Sequence, residues 1–444
     1  MAPVSFDIPR PHQAVLANGL RVVIFEDERL PLVSFRLSFN LGDVNDPAGA
    51  MGMTSAMTSM LTEGTGNYSS RQLAEKIERL GAGISASSSD DFTTVSASSL
   101  SLYSSEILTL MAEVVLHPTF PEDELDLYRR NTVEHLKFQR SQPGFLAGEQ
   151  AARLIYGRHP YATVSPNAGD IERLDRDKIV AYHAETLIPN NAMFIVVGDV
   201  NRDELIAELN DHFGGWQQGS IAASDFAATP VRDKRSLTIV DRQGSAQSNI
   251  VLSNLGVKRT DPDYFPLIVM NQVLGAGASS RMFMNLREEK GYTYGAYTRM
   301  GAKKLSGDFE ATADVRTGVT SDSLKEFFYE LNRIRDERVG EEEMADAKNF
   351  LTGVFPIRAE TQEGLTNLIV NQHLYGLPED YLQTYREKVD AVTVDDVQRV
   401  AVKHVRPDEM AIVIVGDAGE VLPQAKEYAE SVEIFDTEGK LKKN

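Results

Sequence analysis

Short runs of alternating apolar and polar residues open the chain. Residues 15–25 read as a strand pair folded about Asn18-Gly19, because Asn-Gly tolerates the positive φ angles of a tight hairpin turn. Leu32-Val-Ser-Phe-Arg-Leu-Ser-Phe39 alternates with period two and predicts another strand. At Ser70 the period lengthens: Leu73, Ile77 and Leu80 mark one face of a helix that starts there. Thr93–Leu100 predicts a strand and Ser104–Leu116 a helix. Early strands followed by helices and a late strand predict an α+β fold, each sheet mainly antiparallel with helices packed on one face.

The pattern occurs twice. Residues 174–200 align without gaps on residues 392–418, an offset of 218 that puts Leu174 on Val392. Asp177 falls on Asp395, Pro189 on Pro407, Val197 on Val415, Gly198 on Gly416 and Asp199 on Asp417. Each copy reads as a helix, a proline and a β-branched run, Phe194-Ile-Val-Val-Gly-Asp or Ile412-Val-Ile-Val-Gly-Asp, suited to a buried strand. A shared register with the same order of elements predicts two homologous domains. Between them the chain turns small, polar and weakly periodic after Trp216. The expected division is an N-terminal half over 1–217, a linker over 218–236 and a C-terminal half over 237–444.

Composition agrees with two domains, since 444 residues exceed the usual size of one hydrophobic core. With 65 acidic and 45 basic residues the formal charge is −20, which disfavours nucleic acid and anionic membrane surfaces as partners. The absence of cysteine excludes disulfides and thiolate metal sites. No apolar run is long enough for a membrane span. The first residues, Met1-Ala-Pro-Val-Ser-Phe-Asp-Ile-Pro9, show no basic or apolar signal region. This suits either a cytoplasmic protein or a periplasmic one with its signal removed, the latter slightly favoured.

Common catalytic signatures are missing. The sequence has no phosphate-binding Walker loop and no G-x-S-x-G elbow. Gly275-Ala-Gly277 lacks the third glycine of a dinucleotide fingerprint and reads as a flexible turn before a helix.

One segment stands out, Gly52-Met-Thr-Ser-Ala-Met-Thr-Ser-Met-Leu-Thr-Glu-Gly-Thr65. It resembles the zinc helix of the inverted zinc peptidases, the pitrilysin or insulinase family that includes mitochondrial processing peptidase, where it reads roughly G-L-A-H-x-x-E-H-M-x-x-x-G-T. On that pattern Ser55 replaces the first His, Thr58 the catalytic Glu and Ser59 the second His. Two His one helical turn apart grip zinc and the Glu activates its water; serine and threonine hydroxyls are poor zinc ligands at neutral pH. The family's third ligand is a Glu further on, and Thr132-Val-Glu-His-Leu136 lies there, with His135 at the ligand position beside Glu134. Among the eight histidines none pairs at i, i+4. The expectation is no metal in this chain, with Ser55, Thr58, Ser59 and His135 as degenerate positions.

The resemblance extends over about residues 12–430. Tyr156-Gly-Arg-His-Pro-Tyr161 looks like the family's Y-G-x-H-P-Y turn, with His159 structural. Ser279-Ser-Arg-Met-Phe-Met-Asn-Leu-Arg-Glu-Glu-Lys-Gly-Tyr-Thr-Tyr294 is similar to its S-S-R-L-F…G-x-x-Y run. Residues 279–289 predict a helix stopped near Gly291, and 292–298 a strand with Tyr292, Tyr294 and Ala296 on one face. In the family an Arg and a Tyr seven residues later reach the zinc site, which by position are Arg287 and Tyr294. A phenol aimed at a developing oxyanion lowers the barrier by roughly 3 kcal/mol, and an arginine fork holds a carbonyl or carboxylate. Pro356 predicts a kink in the helix-like region 351–361, where Arg358 reads as a salt-bridging residue, with contact to substrate as the alternative.

The resemblance implies two homologous halves. In its shorter members two chains pair, one supplying the zinc site and the other the Arg-Tyr pair. The expected function is therefore the non-catalytic, substrate-binding subunit of a heterodimeric zinc metallopeptidase, with no activity alone. No cofactor is expected in this chain; zinc belongs to a homologous H-x-x-E-H partner subunit. Substrates would be peptides or unfolded protein segments, added as a strand to a sheet edge. Two alternatives remain open: a structural core-subunit-like member, and a peptide-binding homodimer without proteolytic role.

Overall fold

The computed structural model describes residues 8, 10–221 and 225–442. The middle of the expected linker, 222–224, lies outside them, as does most of the leading segment read for a signal. Among the described residues there are twelve strands: β1 (His12–Val15), β2 (Arg21–Glu26), β3 (Leu32–Phe39), β4 (Gly83–Ser88), β5 (Thr93–Leu100), β6 (Ala192–Gly198), β7 (Ser236–Asp241), β8 (Gln247–Leu255), β9 (Thr293–Ala302), β10 (Gly307–Arg316), β11 (Ala411–Gly416) and β12 (Ser431–Phe435). They form two six-stranded sheets, β1-β2-β6-β3-β5-β4 and β12-β7-β11-β8-β10-β9. The fold is α+β, with antiparallel pairing dominant and parallel pairs at β2–β6, β7–β11 and β7–β12.

The first unit comprises 1–135, 165–225 and 355–383. Asn18-Gly19 makes the expected turn between β1 and β2, with Gly19 at φ 82°. Alternation in β3 sends Val33, Phe35, Leu37 and Phe39 into the core, all at most 1% exposed. The helices Ser70–Arg79 and Ser104–Leu116 form where the sequence pattern placed them, and Met53–Met60 where the resemblance put the zinc helix. Ser69 rather than Ser70 is the cap: its hydroxyl accepts from the Gln72 amide and Gln72 returns the bond. The helix Gln362–Leu374 packs on β3 and β6. That second cover explains why β6 is buried at every position and reads as a continuous apolar run.

The second unit comprises 136–164, 226–354 and 384–444. Its main core joins Ile250, Leu252, Ile412 and Ile414 of the sheet to Phe327 and Leu331 of the helix Thr320–Asp336. A separate cluster sets Val240, Val251, Val413 and Val415 against Leu146, Ala147 and Ala151 of the helix Pro143–Tyr156. Each sheet thus carries a single helix on its second face, in addition to the main helical layer. In each unit that helix comes from the other half of the chain.

The duplication appears as geometry. The helices Arg176–Thr186 and Val394–His404 share both boundaries at the 218-residue offset. Each is followed by a short 3-10 turn, Pro189–Asn191 or Pro407–Glu409, and then by the third strand of its sheet.

Candidate functional site

The helix Met53–Met60 starts at Gly52, whose φ of 84° favours glycine. Asp46 holds that start: its carboxylate accepts from the Gly52 amide at 2.6 Å, the Thr54 amide at 2.8 Å and the Thr54 hydroxyl at 2.7 Å. Thr54 Oγ1 also lies 2.9 Å from the Tyr182 hydroxyl. Met53, Ala56, Met57 and Met60 are buried, so Ser55 and Ser59 form the partly open stripe. Thr58 points inward at 1% exposure, and its hydroxyl has no hydrogen-bond partner.

Ser55 donates to the Asp43 carboxylate at 3.1 Å and lies 2.9 Å from Ser88 Oγ, which itself reaches Asp43 at 3.0 Å. Burial pushes the Asp43 carboxyl up to about 6, Asp46 adding to the shift, while the Ser88 and Ser55 hydroxyls work against it. Burial likewise raises Asp46, and it raises the Tyr128 phenol, which hydrogen-bonds Thr132 and Ser59. His135 and Glu134 lie exposed on the helix Glu122–Arg140. Hydroxyls stand at all three degenerate positions of the helix, and among the described residues no group of three or more His, Cys, Asp or Glu could hold a metal ion. This donor set does not fit zinc. Asp43, Ser88 and Tyr128 were not singled out in the sequence; the signal was Asp43-Val-Asn-Asp46, two acids just ahead of an apolar helix.

Arg287 and Tyr294 sit on two irregular elements of the second unit. The expected helix is a short turn, Arg281–Phe283, that widens into a π-helix over Met284–Glu289. The Lys290 amide donates to Asn285 O at 3.0 Å, five residues back. Asn285 anchors this segment through Glu326 and Glu330, at 3.0 and 2.8 Å, and Arg281 through a two-pronged contact with Glu343. Arg287 remains on the surface, donating to Glu288 at 2.6 Å with its guanidinium 4.9 Å from the Phe283 ring. π-Helical turns occur often at functional sites.

The strand after Gly291 departs from expectation. Thr293 pairs with Val315 and Ala296 with Ala313, so Tyr294 and Gly295 together oppose Asp314. This β-bulge adds one residue and shifts the phase of the strand. Tyr294 and Ala296 therefore do not share a face: Ala296 is fully buried and Tyr294 is 90% exposed. Thr293 Oγ1 closes the bulge, donating to Asp314 O at 2.7 Å.

The remaining sequence candidates have structural surroundings. In the Tyr156–Tyr161 turn, Tyr156 donates to Asp308 at 3.2 Å and the Leu305 amide donates to the Tyr161 hydroxyl at 3.1 Å. His159 is 6% exposed and accepts from the Tyr161 amide. Gly275 ends the helix Tyr264–Leu274, and a side chain there would meet the Thr298 backbone nitrogen at 2.5 Å. It is a close-approach glycine rather than the flexible turn expected. Pro356 lies within one helix, Glu341–Glu360, and Arg358 is exposed; among the described residues it makes no ion pair, contrary to the salt bridge expected.

Comparison with known proteins follows the same outline. Residues 21–152 match the family described as insulinase (peptidase family M16), and 173–351 match the peptidase M16 inactive domain. An uncharacterized zinc protease, YmxG, of Bacillus subtilis is 22% identical over 414 residues, covering 90% of this chain and 97% of its own. A Helicobacter pylori protein named as a non-peptidase homolog is also 22% identical, covering 91% and 94%. Among solved structures, the peptidase M16 inactive domain from Pseudomonas fluorescens superposes with a TM-score of 0.85 at 28% identity, covering 91% of this chain and 98% of that one.

Proposed function

We propose that this chain, which belongs to peptidase family M16, is the zinc-free, substrate-binding subunit of a heterodimeric metallopeptidase. The observation that carries the reading is the contrast between its two motif segments. The helix that would bear zinc has only Ser55, Thr58 and Ser59 at the ligand and base positions, and their hydroxyls are taken up by Asp43, Ser88 and Tyr128 or buried. Arg287 and Tyr294 are presented on a π-helix and a β-bulge, irregularities that cost stability and favour a functional explanation. Their role would be to hold a substrate carbonyl and donate to the oxyanion in the partner's site. The partner would be a homologous subunit with an intact H-x-x-E-H segment and its zinc. Substrates would be peptides or unfolded segments, docking along the free edge of β4, the terminal strand of its sheet.

Co-expression with a zinc-bearing M16 homologue tests this reading. The pair should contain zinc and cleave peptides, each subunit alone should not, and Tyr294→Phe in this chain should depress cleavage. Chelator-sensitive activity from this chain alone would overturn it. The name of the Helicobacter pylori relative, a non-peptidase homolog, favours a second reading, a structural family member without proteolytic role; there Arg287→Ala and Tyr294→Phe would leave any partner's activity intact.

A further inference from the structure

The sheet of the first unit carries a polar cavity lined by none of the residues of either motif segment. Register sets Ser34 of β3 beside Ser98 of β5, and Arg36 beside Ser96, which in turn faces Ser85 of β4. These residues share one face of the sheet. The N-terminal turn of the helix Gln362–Leu374 forms the wall, enclosing about 520 Å³.

Two polar atoms on residues that line this cavity lack a partner in the fold. Arg36 Nε and Gln362 Oε1 are buried without a hydrogen-bond partner. Gln362 is only 9% exposed. Its Nε2 donates to Leu32 O at 3.3 Å and Asp27 O at 3.5 Å, which leaves Oε1 as the unused acceptor. Arg36 is a cation on the polar side of a strand, and burial lowers its pKa while the field of Glu363 opposes that shift. Among the described residues no ion pair joins Arg36 to Glu363. Buried polar atoms are normally paired, and one left alone destabilises a fold. Two together, one donor and one acceptor, fit a ligand carrying the complementary groups.

The chemistry narrows that ligand. A guanidinium fork matches a carboxylate, and the start of a 13-residue helix adds a favourable field for an anion. Serine hydroxyls satisfy the remaining carboxylate lone pairs. Gln362 Oε1 accepts from an N–H or O–H donor, and an extended peptide supplies N–H groups beside its carboxylates. We propose that this cavity binds a carboxylate of an extended peptide, with Arg36 as its fork, Ser34, Ser96 and Ser98 as secondary partners, and Gln362 Oε1 accepting a peptide N–H. The inference rests on the peptide-binding reading above and adds an anchor point that selects acidic groups.

The test uses the full chain and a fluorescein-labelled octapeptide of Ala, Ser and Thr in four forms. The C-terminus is a free acid or an amide, each with Glu or Gln at the centre. Anisotropy titration should show a carboxylate form binding about tenfold tighter than its neutral counterpart, as expected for a charge-assisted hydrogen bond. The acid–amide comparison and the Glu–Gln comparison tell a terminal from a side-chain carboxylate. The preference should vanish in Arg36→Met and persist in weakened form in Arg36→Lys. The melting temperature of Arg36→Met should hold or rise, since a half-buried charge without an ion-pair partner is removed. Equal binding of all four forms, or a preference that survives Arg36→Met, would overturn the cavity assignment alone. No binding of any form to the folded chain would overturn the peptide-binding reading as well.

Discussion

Ser55 Oγ and Ser88 Oγ lie 2.9 Å apart, and both reach the Asp43 carboxylate. The contact ties the helix Met53–Met60 to β4, the edge strand of its sheet. Small hydroxyls and a carboxylate here occupy the place where the resemblance puts zinc ligands, so the helix is held by hydrogen bonds within the fold.

Asp43 sets a pH dependence of stability. Its carboxyl is raised from 3.8 to about 6, chiefly by burial. The folded state therefore binds more protons than the unfolded state between about pH 4 and 6, and stability falls as pH rises through that window. Asp43→Asn removes the charge and keeps an acceptor for the serines. It should stabilise the chain by up to about 3 kcal/mol at pH 8 and have little effect at pH 4. Urea unfolding across this range measures the difference.

Tyr294 and Arg287 should separate stability from function. Both are exposed, so Tyr294→Phe and Arg287→Ala should change unfolding free energy by no more than about 0.5 kcal/mol. In a reconstituted pair with a zinc-bearing homologue, Tyr294→Phe should lower kcat by about 100-fold with a smaller change in KM. Calorimetry on the single chain and steady-state kinetics on the pair read the two effects independently.

Asp263 anchors the helix Val394–His404. It is 5% exposed and accepts from Arg399 at 2.7 Å, Lys403 at 2.7 Å and His404 at 2.8 Å. Burial alone would raise its pKa, but the hydrogen bonds from His404, Lys403 and Arg399 hold it well below 3.8. The stability it contributes is present above that value and is lost as pH falls below it. Asp263→Asn should destabilise the chain by about 1.5–3 kcal/mol at pH 7, a gap that narrows in acid. Denaturant titrations at pH 7 and pH 3 compare the two.

The Tyr156–Asp308 bond makes a smaller prediction. Tyr156→Phe deletes the donor to a buried carboxylate that keeps Arg299 as a partner. The expected loss is about 1 kcal/mol with no effect on peptide binding. Chemical denaturation and an anisotropy titration check the two halves of that statement.

Periodicity and the 218-residue repeat were enough to place β3, β5, the helices Ser70–Arg79 and Ser104–Leu116, and the matched helix–strand pairs ending at Gly198 and Gly416. Each is specified locally, by alternation, by capping or by a buried apolar run. The poor fit of the helix Met53–Met60 to zinc was also legible locally, because the hydroxyls of Ser55, Thr58 and Ser59 are poor zinc ligands whatever surrounds them. Three features depended on partners distant in sequence. The phase of Tyr294 turned on a bulge opposite Asp314, which no strand pattern encodes. Asp43 meets Ser55 and Ser88 only because β4 runs beside the helix Met53–Met60. Arg36 looked like any outward residue of an alternating strand until the helix Gln362–Leu374, more than three hundred residues on, walled it in. Sequence determines which side chains a strand or helix turns outward; only tertiary packing decides which of those keep their water and which lose part of it to an element distant in the chain.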